Sequence, residues 1–350
     1  MNYTEQQKTA IKLAVDSVQS KKKLTRIGGF AGTGKTTILR EVFAQCPNGG
    51  IVAFAGKACD VLRRKGLPGQ TIHSLIYSFD ASDNRFHLKK ELNAFDWIGI
   101  DEGSMVGQTL WNDVKTFNKP IIVIGDPGQL EPVADSDPHL MKNPDFVLTE
   151  IHRQAQGSPI IKLSLQIREG DEIDWGDFKA DYGAMYSPED LLWPDMFVCG
   201  MNKTRLALNT EIRKVKKYTQ ILNEGERIIC KNNDRELGVF NGQMFTVIKI
   251  HSRLVVDLQT DDGQIYNHMS VSDIGFNSYS RPTWAKIRNH VGKRLIADYG
   301  NAITCHGSQG SEYDKVSYVD EQCDKWCPIR HRYTGSTRAA INLRRYGIDV

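Results

Sequence analysis

At 350 residues, with 40% hydrophobic and 25% charged side chains, the chain is long enough to bury two cores and carry small insertions, and its composition is that of an ordinary globular protein. A formal net charge of +3 excludes a whole-surface field, so any nucleic-acid footprint must be a local groove. The seven cysteines, an odd number, argue against a disulfide framework and for a reducing compartment, while the lack of an apolar signal core in Met1 to Gln7 and of a run of about 18 apolar residues argues against secretion or a membrane span.

The first predicted element is a helix from about Thr4 to Ser20, with Thr4 as N-cap and Gln7 at the capping-box position, leading into a strand near Leu24 to Gly28. The next segment, Gly29-Phe30-Ala31-Gly32-Thr33-Gly34-Lys35-Thr36-Thr37, matches the phosphate-binding pattern G-x-x-x-x-G-K-[ST] between an apolar run and an amphipathic helix. Gly29, Gly32 and Gly34 let successive backbone N–H groups turn around phosphates with no Cβ in the way, and the helix N-terminus adds its dipole. Lys35 would reach the β and γ phosphates of ATP and Thr36 would ligate Mg²⁺.

Ile51 to Ala55 reads as a second buried strand, followed by a helix from about Lys57 to Lys65 that Gly66 ends. After Thr71 to Tyr77, the polar stretch Ser78 to Leu88, with Asp83-Asn84 as its turn signal, predicts a small hairpin insertion over about 78–90. The apolar run Trp97 to Ile100 ends in Asp101-Glu102. There Asp101 would hold Mg²⁺ through water and Glu102 would orient or deprotonate the attacking water. A further buried-type strand from Pro120 runs into Gly125-Asp126-Pro127-Gly128-Gln129, where the Gln129 amide could sense the γ-phosphate. Three strand-to-loop polar clusters suit a parallel α/β sheet whose ligand lies beyond the carboxyl ends of its strands.

A second domain is expected from about Glu150, through a helix over Ser158 to Glu169, a strand near Met196 to Gly200 and a helix over Lys203 to Tyr218. From about Gly225 to His290 the texture changes to short β-type runs separated by Asn-Gly, Asp-Gly and Asn-Asn turns, which predicts a β-barrel insertion. Cys323, Cys327 and His331 invite a zinc reading. They lack a fourth ligand and the paired spacing of structural zinc sites, so a partly buried connection is the better reading.

With Gln6-Gln7, Lys35-Thr36, Gly56-Lys57-Ala58, Thr71-Ile72-His73-Ser74, Asp101-Glu102-Gly103-Ser104-Met105, Gly125 to Val133, His152-Arg153-Gln154, Ala302 to Glu312 and Tyr333 to Ala339 in this order and spacing, the chain resembles superfamily 1 helicases of the RecD-like group, the branch with the Dda-type phage helicases and the Pif-type helicases. The resemblance implies two RecA-like P-loop motor domains, 1–149 and 150–224 with 291–350, the hairpin in the first and an SH3-like barrel, 225–290, in the second. It implies an ATP-driven motor moving 5′ to 3′ on single-stranded DNA and opening forked duplex. A monomeric motor is expected in the cytoplasm of a bacterial or phage-infected cell, with a single-strand-binding protein or replication proteins as further candidate partners.

Phosphoryl transfer must neutralise charge developing on the γ-phosphate, and Arg153 and Arg338 are the candidates, with ATP bridging the two domains. By the resemblance, Gln7 would read the adenine edge, with Tyr3 or Arg40 flanking the base, and Thr33, Thr37, Gln309 and Gly310 would complete the nucleotide site. The nucleic-acid track would take Phe54, Lys57, Thr71 and His73 from the first domain and Thr304, His306 and Ser308 from the second. Hydroxyls, a lysine and N–H groups suit phosphates, and Phe54 and the histidines could stack on bases without reading them. Phe86, in the hairpin, is either a strand-separating pin or a packing anchor. The chain departs from the family pattern at Gly103, Cys305, Gly307 and Gly335-Ser336, and the missing lysine at Gly307 puts one phosphate contact in doubt. Two other readings stay open: a single-strand translocase or RNA-directed motor, and a nucleotide-switched DNA-binding loader.

Overall fold

The computed structural model describes residues 3–347 apart from 81–84, 133–137, 152–156, 171–172, 179, 181–186, 235 and 278–293. The chain divides into two compact units, Met1–Glu172 and Ile173–Val350.

The first unit opens with α1 (Glu5–Gln19), whose capping box forms as the sequence predicts: the Thr4 hydroxyl accepts from the Gln7 N–H, and the Gln7 side chain accepts from the Thr4 N–H. Then follow β1 (Leu24–Gly29), α2 (Lys35–Gln45), β2 (Gly49–Ala53), α3 (Gly56–Arg64), β3 (Gln70–Thr71), α4 (Ile72–Ile76), the hairpin strands β4 (Tyr77–Asp80) and β5 (Arg85–Leu88), β6 (Trp97–Asp101), α5 (Gln108–Lys115), β7 (Ile121–Gly125), β8 (Phe146–Leu148) and α6 (Pro159–Glu169). A six-stranded sheet takes the order β3-β2-β6-β7-β1-β8, and each of its pairings is parallel. Its strands are apolar on both faces because both are covered. Ile27, Ile51, Trp97, Ile122 and Ile124 pack with α1, α2 and α3, whereas Val52, Ile98, Ile100, Ile121 and Val123 pack with α4 and α5. That alternation is the two-residue period of the strand. The helix α6, which the sequence placed in the second domain, belongs to this unit, where the Arg168 guanidinium lies 3.8 Å over the Phe30 ring.

β4 and β5 pair antiparallel, with Phe79 opposite Phe86, so the predicted hairpin forms; its Asp83-Asn84 turn lies outside the described residues. Lys89 fixes the hairpin's base, its Nζ donating to the Ser74 and Leu75 carbonyls at the end of α4.

The second unit contains α7 (Pro188–Leu192), β9 (Met196–Cys199), α8 (Asn202–Val215), β10 (Arg227–Cys230), β11 (Met244–Ser252), β12 (Val255–Thr260), β13 (Ile265–Ser272), β14 (Leu295–Tyr299), β15 (Ala302–Thr304), β16 (Tyr313–Asp320), α9 (Pro328–Ser336) and β17 (Ala339–Gly347). A parallel sheet runs β15-β9-β16-β17, and β10 to β14 close into a five-stranded barrel around Ile228, Phe245, Val247, Val256, Leu258, Val271 and Leu295. The mixed α/β architecture with a barrel inserted in its second half agrees with the sequence reading. The barrel's last strand, β14, lies beyond the 225–290 expected from the sequence.

Candidate functional site

The strand order of the first sheet sets β6, β7 and β1 side by side, so the polar residues that follow each strand gather at one sheet edge. Between β1 and α2 the phosphate loop turns on Gly32 and Gly34, both at positive φ. Gly34 is required twice over, because its φ is +83° and a Cβ there would stand 2.6 Å from the Gln7 amide nitrogen. Gln7 itself is buried and donates to the Thr33 carbonyl at 3.0 Å, fixing the loop from α1. Thr33 closes the turn internally through its hydroxyl to the Phe30 carbonyl. Thr36 and Thr37 lie half-buried in the first turn of α2, where free N–H groups and the dipole favour an anion. Lys35 Nζ donates to the Phe30 carbonyl at 3.1 Å and lies 3.5 Å from Asp126 Oδ2.

Asp126, at the end of β7, is almost fully buried, and its other oxygen accepts from the Gly128 N–H at 2.9 Å. The sequence reading quoted this residue in a motif but gave it no role. Its position directly after an apolar strand, as with Asp101, was the available signal. The adjoining Gln129 is buried, with its Oε1 lacking a hydrogen-bond partner.

At the end of β6, burial pushes the Asp101 carboxyl up to about 6, the neighbouring Glu102 charge adds to this, and Lys35 opposes it. Glu102 adopts φ +53°, a left-handed conformation uncommon outside glycine, and its Oε2 is buried without a hydrogen-bond partner. Two neighbouring carboxyls, one with an oxygen left unpaired in the interior, are costly unless something cationic or hydrogen-bonding meets them. This all-oxygen set, with the Thr36 hydroxyl in the first turn of α2, fits a hard divalent cation.

In the second unit the structure joins Arg338 to the Gln309 loop. Arg338 is buried, and its guanidinium donates to the Thr334 carbonyl at 3.0 Å, the Ser311 carbonyl at 3.1 Å and the Thr337 hydroxyl at 3.2 Å. Gln309, two residues before Ser311, is buried, and Gly310 turns at φ +70°. Arg153 lies outside the described residues.

Of the expected nucleic-acid positions, Phe54 and His73 come together, their rings 6.4 Å apart edge to face, and His73 lies 5.6 Å from the Tyr77 ring. Tyr77 therefore extends the aromatic row towards the hairpin. Sequence reasoning passed over it, although its spacing of four from His73 was a helical-face signal. The Tyr77 hydroxyl donates to Asp113, and burial with that carboxylate pushes its pKa up to about 12. Burial lowers the His73 pKa, with the Asp113 charge opposing. Lys57 sits half-buried in the first turn of α3, and Phe86 is 57% exposed on β5. Thr71 serves first as a helix cap: its hydroxyl accepts from the Ser74 N–H and donates to the Ser74 hydroxyl. Thr304 likewise accepts from the Gly307 N–H at 3.2 Å, and His306 is half-buried, its pKa lowered by burial. Ser308 is fully buried, and its hydroxyl donates inward to the Cys305 carbonyl at 2.6 Å.

His331 is buried in α9, stacked 4.6 Å from the Trp326 ring with its Nδ1 2.8 Å from the Tyr318 hydroxyl, and burial pulls its pKa down to about 4. It forms no metal-holding group with Cys323 and Cys327 among the described residues.

Residues 2–187 match the AAA-domain family. The chain is 26% identical over 364 residues to the ATP-dependent DNA helicase dda of Enterobacteria phage T4, covering 92% of this chain and 79% of that protein. It is 27% identical over 355 residues to the ATP-dependent RecD2 DNA helicase of Deinococcus radiodurans, covering 91% of this chain and 46% of that longer protein, so it spans about half of that relative. In fold it is similar to Bacteroides Pif1 bound to ssDNA, with a TM-score of 0.68 at 19% identity over 100% of this chain and 93% of the other. A structure of two coordinating Pif1 helicases at forked dsDNA matches with a TM-score of 0.68 at 18% identity, over 100% and 93% of the two chains.

Proposed function

The chain belongs to the AAA-domain family, and from that membership we propose that it is an ATP-dependent DNA helicase of superfamily 1, in the RecD-like group. The observation that carries this reading is the Lys35–Asp126 pair at the phosphate loop, one strand away from Asp101 and Glu102 at the same sheet edge. A nucleoside triphosphate site needs these groups together: a cation for the β and γ phosphates, carboxylates for a metal and a water, and backbone N–H groups around the anion. The relatives named ATP-dependent DNA helicases support extending the site to a motor.

In the proposed mechanism, Gln7 holds the phosphate loop and reads the adenine edge, and Lys35 leaves the Phe30 carbonyl to meet the β and γ phosphates. Thr36 and Asp101 would hold Mg²⁺, which when bound neutralises charge on the phosphates. Glu102 takes the proton of the attacking water, and its unpaired buried oxygen suits that task. Gln129 senses the γ-phosphate, and Arg338 and Arg153 stabilise the charge developing on it. Phe54, Lys57, His73, Thr304 and His306 contact single-stranded DNA through stacking and phosphate interactions, without base readout. Movement is 5′ to 3′, the polarity implied by the group the chain resembles.

The test is ATP hydrolysis with single-stranded DNA, with RNA and without polynucleotide, together with unwinding of 5′-tailed and 3′-tailed duplexes. A DNA helicase shows DNA-stimulated turnover and opens the 5′-tailed duplex. Stimulation without unwinding would identify a translocase, stimulation by RNA alone an RNA motor, and slow unstimulated turnover a loader.

A further inference from the structure

Three neighbouring strands of the barrel, β11, β12 and β13, bring His251, Asp257 and His268 together. His251 Nε2 lies 2.8 Å from Asp257 Oδ1, and His268 Nδ1 lies 3.8 Å from the same oxygen. The two imidazoles stack with centroids 4.1 Å apart and 18° between their planes. One ligand atom from each of the three residues falls within 4.8 Å of the other two.

The backbone is irregular at each of these positions. The β11–β12 register shifts between Ile250 and Ser252, at His251, and the β12–β13 register shifts between Val256 and Leu258, at Asp257. A regular ladder sends successive side chains to opposite faces, and a bulge re-aims one of them. His268 stands opposite the second irregularity at φ +52°, a left-handed conformation uncommon outside glycine that histidine, with asparagine and aspartate, adopts more readily than other residues. Its N–H donates to Asp257 Oδ1 at 2.7 Å, which holds the turned backbone against the carboxylate.

We propose that His251, Asp257 and His268 form a binding site for a divalent first-row transition ion, Zn²⁺ in the first instance. Two imidazole nitrogens and one carboxylate make a borderline donor set that favours Zn²⁺ over Mg²⁺ or Ca²⁺. Ligand atoms at about 2.0–2.2 Å from a tetrahedral ion stand roughly 3.3–3.6 Å from one another, and the 2.8 and 3.8 Å separations bracket that spacing. Both histidines are exposed, so an ion can enter from solvent and water can fill the remaining positions. The ion would tie three barrel strands together at their irregular stretch. None of the three residues belongs to the nucleotide or DNA assignments above, so this site stands or falls independently of them.

The test titrates the full chain, stripped with chelator, with Co²⁺ at neutral pH, followed by its visible absorption, and with ZnCl₂ by calorimetry. The expected result is one ion per chain with the spectrum of nitrogen and oxygen ligands, free of the thiolate charge-transfer band that the cysteines would give. His251→Gln and His268→Asn should each weaken binding at least about tenfold, as loss of a ligand does at such sites. Asparagine tolerates the left-handed backbone at 268, so that variant keeps the bulge. Zn²⁺ should also raise the unfolding temperature of the parent and not of the double variant. Equal affinity in parent and double variant, a thiolate spectrum, or no uptake by the parent would overturn the proposal, and Asp257 would then serve only to cap the His268 N–H. Either histidine variant carries the test alone if the other fails to fold.

Discussion

Lys35, at the start of α2, and Asp126, at the end of β7, face each other with 3.5 Å between Nζ and Oδ2, and Asp126 holds the Gly128 N–H with its other oxygen. Lys35 and the loop that carries Gln129 therefore share one buried carboxylate. Removing it should act on both. Asp126→Ala is expected to cost about 1–3 kcal/mol of stability, as an interior donor loses its partner, and to lower kcat. Asp126→Asn keeps an oxygen for Gly128 and should retain most stability while losing the charge beside Lys35. Urea unfolding and ATPase kinetics on both variants check this; equal stability losses would show that the Gly128 bond does not matter.

Lys35 and Glu102 should fail in different ways. Lys35→Ala is expected to abolish turnover mainly by weakening nucleotide capture, whereas Glu102→Gln should bind ATP and DNA and stall before hydrolysis. Nucleotide binding by fluorescence and single-turnover hydrolysis separate the two. Parental turnover by Glu102→Gln on saturating single-stranded DNA would remove it as the base.

The glycine after the acidic pair follows from its neighbour. A Cβ on Gly103 would come within 2.3 Å of Val123 Cγ1, so Gly103→Ala should destabilise the first unit by about 1–3 kcal/mol, the usual cost of overpacking, and displace Glu102. Pairing it with Val123→Ala should recover part of the stability and activity. No recovery in the double variant would place the cause elsewhere.

For the arginines the expected signature is a loss of kcat of about 10³ or more with nucleotide affinity little changed, as when an arginine finger is removed. Arg338→Ala should also lower stability, because its buried guanidinium ties the Ser311 carbonyl to α9. Arg153→Ala is the companion variant. Normal DNA-stimulated kcat in either would exclude that residue from the charge-stabilising set.

Phe86 is 57% exposed on β5, and base–aromatic stacking is worth about 1–3 kcal/mol. A pin predicts that Phe86→Ala keeps its fold and its single-strand-stimulated ATPase but loses most unwinding of a 5′-tailed duplex. Parental unwinding rates would make it a packing anchor.

The sequence alone determined whatever depends on contiguous backbone. The phosphate loop was legible because glycines at 29, 32 and 34 and the lysine at 35 act through their own stretch of chain, and the apolar strands ending in carboxylates were legible because a two-sided parallel sheet demands such runs. The barrel showed itself through short β-type runs and turn residues. Tertiary structure decided what depends on contacts between distant segments. It paired Lys35 with Asp126, set Val123 against Gly103 and the Tyr318 ring within 2.3 Å of a Cβ at Gly335, and turned Ser308 inward. It also brought His251, Asp257 and His268 together through two register shifts. A register shift or a side-chain neighbour is fixed by packing across strands, where local pattern constrains only which face is apolar.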